Sequence, residues 1–218
     1  MYARLLALCC LLYVSTSTGR AASAVPSGSE LEVYLRGEAG SSAVVLSEMT
    51  RELASLMQHA GFRISWRQAN EQGSPGGAAH LVVVDLRGTC TVPTADEPSE
   101  PPPAFLVLAS SSVVDGKILP FSWVDCSALN RFLGPALASH PEAERAHIYG
   151  RSMARLLAHE FYHVLAQTDD HTQTGIAKPR FSTADLLAEH FDFETVALDR
   201  LHPRSPGLST DDVSVAGR

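Results

Sequence analysis

Two histidines and a glutamate in the last third of the chain have the types and the spacing needed to activate water on a metal ion. His159, Glu160 and His163 form the pattern HExxH. Residues four apart project from one face of a helix, one turn apart, so both imidazoles can bind a single ion. Glu160 lies about 100° around the helix, where it can act as a general base toward a water on that ion. The expected cofactor is Zn²⁺, which lowers the pKa of a bound water to about 7.

The motif lies in a segment with the periodicity of an α-helix. No proline occurs between Glu142 and Gln167, and apolar residues recur there at helical spacing. We expect one face of this helix to be buried and the other to present His159 and His163 to a cleft at the edge of a sheet. The competing interpretation is an ordinary amphipathic helix whose histidines are only solvated or hydrogen-bonded. Metal binding is favoured over it because the motif occurs in the helical setting that it requires. The apolar positions are Tyr149, Met153, Leu156, Leu157, Val164 and Leu165.

The segments upstream and downstream of this helix predict an α+β fold, with a mixed β-sheet on which the helices pack. Gly61 marks the end of the first helix, and Ser182 is the expected N-cap of the last one, with Asp185 three residues on. Glycine-rich and proline-rich loops are predicted over 70–78 and 91–104. Strands are predicted over 31–36, 62–66, 80–86, 105–114 and 117–119, and helices over 41–60, from Ser127 onward, over 142–167 and over Phe181–Leu201.

The N-terminal residues have the pattern of a secretory signal peptide. Arg4 supplies the positive charge, an apolar run follows over 5–14, and Ala22-Ser23-Ala24 has the small-residue pattern of a cleavage site. We therefore expect residues 1–24 to be a signal peptide and residues 25–201 to form one domain. The segment 202–218 is rich in Ser, Gly, Pro and Asp, and is predicted to be a disordered tail.

The remaining composition indicates an exported protein. If Cys9 and Cys10 leave with the signal peptide, Cys90 and Cys126 remain, and in an oxidising compartment they are expected to form a disulfide. No later stretch approaches eighteen apolar residues, so no membrane span is expected, and the predicted location is secreted or periplasmic. The formal net charge of −7 argues against nucleic acid or an anionic membrane surface as a partner.

The chain resembles the zincin metallopeptidases. The resemblance depends on His159-Glu160-x-x-His163, on the helix that carries them and on the order of strands and helices upstream. It implies a zincin-like fold, a catalytic zinc ion and a peptide or protein substrate. The metzincin branch reads HExxHxxGxxH or HExxHxxGxxD. In that register Ala166 replaces the glycine, Asp169 takes the third-ligand position, and no methionine follows Met153 to form a Met-turn.

A catalytic zinc site needs three protein ligands, and the sequence offers three candidates for the third. His171 is favoured because it is an imidazole, and because the longer spacing of HExxHxxxxxxxH does not require a glycine at Ala166. Asp169 is the candidate in the metzincin-like register. Glu189 is the candidate if the chain follows the gluzincins, in which a downstream helix supplies a glutamate.

Two functions remain open at this stage. The first is a secreted zinc-dependent hydrolase, a metallopeptidase in which His159, His163 and His171 bind zinc and Glu160 is the general base. The alternative is a catalytically inactive protein of the same fold that serves as a metal-binding or interaction module. The absence of the metzincin glycine and Met-turn is the feature that keeps the alternative open.

Overall fold

The computed structural model describes residues 28–37, 39–68, 78–92 and 106–202. The predicted signal peptide and residues 203–218 lie outside the described residues, as does most of the two predicted loops. His202, the first residue of the predicted tail, is described. Its ring stacks on Phe62 with the ring centroids 5.1 Å apart.

The described part of the chain contains one mixed sheet of five strands, in the order β2-β1-β3-β5-β4. The first four strands in this order run parallel to their neighbours, and β4 pairs antiparallel with β5 at the edge. The mixed sheet expected from the sequence is therefore present. Its strands are β1 (Ser29–Arg36), β2 (Phe62–Gln68), β3 (His80–Arg87), β4 (Ala109–Val114) and β5 (Lys117–Asp125).

Helices pack on one face of this sheet, and α1 also packs directly on α3. Leu31 and Val33 on β1 are fully buried at alternate positions, as expected of a strand with one covered face. Glu32 between them is also buried, and its carboxylate accepts a hydrogen bond at 3.0 Å from Arg67 Nε. Helix α1 begins after Ser42, whose side chain accepts a hydrogen bond from the Val45 N–H. The helices are α1 (Ala43–His59), α2 (Cys126–Leu137), α3 (Glu142–Ala166), α4 (Thr183–Leu187) and α5 (Thr195–Leu201).

The two helices α1 and α3 approach closely at Gly150. A Cβ atom added at this position would lie 2.6 Å from the carbonyl oxygen of Val45. A glycine on α3 therefore lets the two backbones come together. Among the described residues, no helix combines the length and the apolar composition needed to cross a membrane.

The Cys90–Cys126 disulfide predicted from the sequence is present. Both residues are fully buried, and their Cα atoms are 5.1 Å apart. The bond joins the segment after β3 to the first residue of α2, across 36 positions of sequence. Closing a loop of this length contributes on the order of 3–4 kcal/mol in the chain-entropy view.

Two strand predictions have wrong boundaries. Strand β4 begins at Ala109 rather than at residue 105, and β5 extends to Asp125 rather than ending at residue 119. Pro120 stands inside β5 because it lies where the β4–β5 register shifts, and the pairing of β5 with β3 starts only at Phe121. Its missing N–H therefore removes no bond from the ladder.

The single helix predicted over Phe181–Leu201 is wrong, because the structure has the two short helices α4 and α5 there. Ser182 does cap α4, in a reciprocal capping box with Asp185. The break between the helices coincides with a fully buried arginine on α3. Arg155 donates to the carbonyl oxygens of Asp185 and Leu186 at 3.0 and 2.8 Å, and to that of Glu189 at 3.4 Å. A guanidinium cannot be buried without hydrogen-bond acceptors, and these three carbonyl oxygens supply them to Arg155.

We predict that Arg155→Met lowers the free energy of unfolding by about 3–5 kcal/mol, the usual range when one partner of a buried polar cluster is removed. The carbonyls of Asp185 and Glu189 lose the Arg155 donor, and Glu52, 3.6 Å from the guanidinium, loses its ion pair with Arg155. Urea unfolding of the variant measures the loss. Arg151→Met, on the same helix but only half-buried, is the matched control. Equal losses in the two variants would contradict the role assigned to Arg155.

The capping box of α4 predicts a pH dependence. Burial opposes ionisation of Asp185, but hydrogen bonds from Lys178 and Ser182 together hold the pKa of its carboxyl below the usual value. A depressed pKa stabilises the fold above the unfolded-state pKa of about 4, and this contribution is lost as the pH falls through the folded-state pKa. Asp185→Asn should therefore cost about 0.5–1 kcal/mol at pH 7. Urea unfolding of parent and variant should give a difference that is constant down to about pH 4 and shrinks below it. A difference that grows in acid would contradict this assignment.

Candidate metal centre

Three imidazoles converge beside the C-terminal half of α3. His159, His163 and His171 each offer a ring nitrogen, and these nitrogens all lie within 4.8 Å of one another. The ring of His171 stacks on that of His159 with centroids 5.3 Å apart, and meets the ring of His163 edge-on at 4.8 Å. The structure thus brings the two histidines of the motif together with the residue favoured as third ligand.

The end of α3 at Gln167 allows His171 to reach the other two rings. Gln167 has the left-handed backbone conformation, with φ 49° and ψ 45°, which turns the chain out of the helix. This conformation is uncommon for a residue other than glycine. The side-chain amide donates to the carbonyl oxygens of Val164 and Ile118 at 2.7 and 2.9 Å, which fixes the turn against β5. The chain therefore turns one residue after Ala166, and no glycine is needed there.

Backbone carbonyls orient the two rings on α3. Nδ1 of His159 lies 2.8 Å from the carbonyl oxygen of Ile176, and Nδ1 of His163 lies 2.7 Å from that of Thr168. A carbonyl can only accept, so each Nδ1 carries the proton and each neutral ring has its lone pair on Nε2. A ligand histidine bound to zinc commonly makes this second hydrogen bond.

Burial keeps these rings neutral. It lowers the pKa of His159 to about 4 and also lowers the pKa of His163, against the opposing effect of the carbonyl hydrogen bonds. A neutral imidazole is the form that binds a metal. The two Nε2 atoms are 3.0 Å apart, so two lone pairs face each other without a proton between them.

The three imidazoles fit a zinc ion. In a tetrahedral site with Zn–N bonds of about 2.1 Å, two ligand nitrogens are about 3.4 Å apart. The separation of the His159 and His163 nitrogens is close to this value, and the third ring is near enough to complete the set. A cation between the rings would also relieve the repulsion between the facing lone pairs. Three protein ligands leave a fourth position for water or substrate, as in catalytic rather than structural zinc sites.

Glu160 follows His159 directly on α3. Its side chain is almost completely buried, with 7% of its surface exposed. Burial raises the pKa of its carboxyl to about 7, although a hydrogen bond from Ser111 acts in the opposite direction. Ser111 Oγ lies 2.8 Å from Glu160 Oε2. The sequence did not single out Ser111, because nothing in its own segment marks a strand serine as the neighbour of a residue 49 positions away.

The two rival ligands lie outside this cluster. Asp169 and Glu189 are both exposed, and neither belongs to the metal-binding group found among the described residues. The carbonyl of Glu189 accepts from Arg155, on a segment that is not helical. Tyr162, between the two motif histidines, is fully buried and accepts a hydrogen bond at 2.8 Å from Arg200. This hydrogen bond connects the Tyr162 hydroxyl to helix α5.

No protein-family model matches this sequence, and no curated protein matches it at a significant level. Among solved structures, the chain is similar to archaemetzincin from Methanopyrus kandleri, with 12% sequence identity and a TM-score of 0.49. The likeness covers 81% of this chain and 95% of that chain. At this level of likeness, the function has to be inferred from the side chains of the chain itself.

We predict that His171→Ala weakens zinc binding by more than 100-fold, because a lost ligand costs more than the 10–100-fold typical of an outer hydrogen-bond partner. Asp169→Ala and Glu189→Ala should bind zinc within about tenfold of the parent. Competition with a chromophoric chelator, for the three variants side by side, measures the affinities. If His171→Ala binds zinc as tightly as the parent while either rival variant loses it, the third ligand is the rival residue.

Proposed function

We propose that this protein is a zinc-dependent hydrolase, and specifically a zincin-like metallopeptidase. The observation that carries the proposal is the convergence of the His159, His163 and His171 nitrogens beside α3, the helix that also carries the buried carboxylate of Glu160. Three imidazole ligands and one carboxylate are the minimum set for a hydrolytic zinc site that uses water. The motif on α3 and the five-stranded mixed sheet with its antiparallel edge strand support the zincin-like assignment.

Each residue of the set has a separate role in the proposed reaction. His159, His163 and His171 would hold the ion, and the carbonyls of Ile176 and Thr168 keep the first two rings in the orientation for binding. When bound, zinc supplies a Lewis acid that polarises the scissile carbonyl and acidifies water. Glu160 takes the proton of the attacking water and returns it to the leaving amine.

The proposed location is outside the cytoplasm. The signal-peptide pattern of residues 1–24 and the Cys90–Cys126 disulfide both support export, because disulfides persist in oxidising compartments. The proposed substrates are therefore extracytoplasmic peptides or proteins. Zinc content of the exported protein, together with hydrolysis of casein and of a mixed peptide library with and without a chelator, tests the proposal. One bound zinc without chelator-sensitive hydrolysis would instead favour the inactive metal-binding module.

We predict that Glu160→Gln retains one zinc per chain and loses hydrolysis by about 10²–10⁴-fold, because it keeps the shape of the side chain and removes the base. Elemental analysis and initial rates on the best library peptide measure the two effects. Glu189→Gln, the same substitution at an exposed carboxylate outside the cluster, should hydrolyse at the parent rate. A Glu160→Gln variant that turns over near the parent rate would show that the proposed mechanism is wrong.

A further inference from the structure

A pair of serines connects the sheet to the carboxylate of Glu160. Ser111 on the edge strand β4 places its Oγ 2.8 Å from Glu160 Oε2 and 3.4 Å from the backbone oxygen of the same residue. Behind it, on β5, the Oγ of Ser122 lies 2.9 Å from Ser111 Oγ. We refer to Ser111 and Ser122 as the serine pair.

The direction of the hydrogen bonds follows from the number of protons. A hydroxyl has one proton to donate, and an ionised carboxylate can only accept. When Glu160 is ionised, the proton of Ser111 therefore goes to its carboxylate, and Ser122 donates to Ser111. Ser122 is 2% exposed, so its own proton also needs an acceptor inside the protein, and Ser111 provides it. This orders the pair as Ser122 to Ser111 to Glu160.

The sheet fixes the serine pair more firmly than a loop would. Ser111 and Ser122 are directly opposite each other in the antiparallel β4–β5 pairing. The register shifts immediately afterwards, since β5 has three residues between its paired positions where β4 has only Ser112. The regular pairing is thus interrupted after Ser111 and resumes at Val113, and α3 packs on both strands.

A glutamate on a helix has several free side-chain torsions, and a general base must be held close to its productive geometry. We propose that Ser111, supported by Ser122, is a positioning residue that holds the Glu160 carboxylate in place for proton transfer. This inference rests on the proposed function. The competing view is that the contact only fastens α3 to the sheet, in which case its loss affects stability and not the reaction.

The kinetic test compares Ser111→Ala with Ser112→Ala, a control that removes the same hydroxyl from the adjacent position of β4 and leaves the Ser111 contacts with Glu160 intact. Ser111→Ala should lower kcat on the best library peptide by about 10–100-fold, with KM and zinc content unchanged. Ser111→Thr keeps the hydroxyl on a residue suited to a strand and should restore most of kcat. Ser122→Ala should give a smaller loss than Ser111→Ala. An unchanged kcat in Ser111→Ala, or a loss that Ser111→Thr does not repair, would overturn the proposal.

A readout that does not need activity is the position of the carboxylate itself. Crystal structures of the zinc-loaded Ser111→Ala and Ser112→Ala proteins should show Glu160 displaced or in two conformers in the first and in its original place in the second. An unmoved carboxylate in Ser111→Ala would overturn the proposal. Should Ser111→Ala fail to fold, the structure and kcat of Ser122→Ala decide instead. If the parent protein hydrolyses nothing, the proposed function fails, and the crystal structures still decide whether the serine pair positions Glu160.

Discussion

Helix α3 packs against both the sheet and α1, and a polar side chain on it can leave water only if another part of the protein replaces the lost hydrogen bonds. Four of its polar side chains illustrate this requirement, and three different segments meet it. Arg155 donates to carbonyl oxygens of the α4 region, and His159 and His163 donate to carbonyl oxygens of the chain that follows α3. Glu160 accepts a hydrogen bond from a serine hydroxyl on the edge strand of the sheet.

The same requirement explains why the segment after α3 is ordered with little regular structure. Between Gln167 and Ser182 the chain forms no helix or strand, yet Ile176 and Ala177 are fully buried. Carbonyls that would be bonded within a helix or sheet, those of Thr168 and Ile176, are instead available to imidazole donors. The burial of α3 therefore depends on the irregular backbone of residues 167–182. The same segment carries His171 to the other two histidines.

The strands and helices whose buried apolar residues recur at a regular spacing could be predicted from the sequence. The alternation in β1 and the helical spacing in α1 and α3 each record burial on one face, and the ends of α1 and α4 carry their own signals in Gly61 and Ser182. The predictions that failed depended on distant groups. Nothing between residues 181 and 201 indicates that Arg155 competes for the carbonyls there, and nothing near Pro120 indicates that β5 changes its pairing partner at that point.

For the candidate site, the sequence predicted the residue types and the separation of His159 and His163 by one helical turn. It favoured His171 as the third ligand but did not predict the position of that side chain. Its position depends on Gln167 adopting a left-handed conformation, which residue type alone does not favour. Ser111 could not be found at all, because the Ser110–Ser112 run reads as ordinary strand surface until the β4–β5 register is known.

The buried disulfide has a topological consequence for any cleavage of the chain between its two cysteines. Cys90 and Cys126 enclose the proline-rich segment together with β4 and β5. A backbone cut at any one bond between these two cysteines leaves a two-chain molecule that remains covalently joined. Such a nicked form would keep the edge strand tethered to α2, and it would separate into fragments only after reduction.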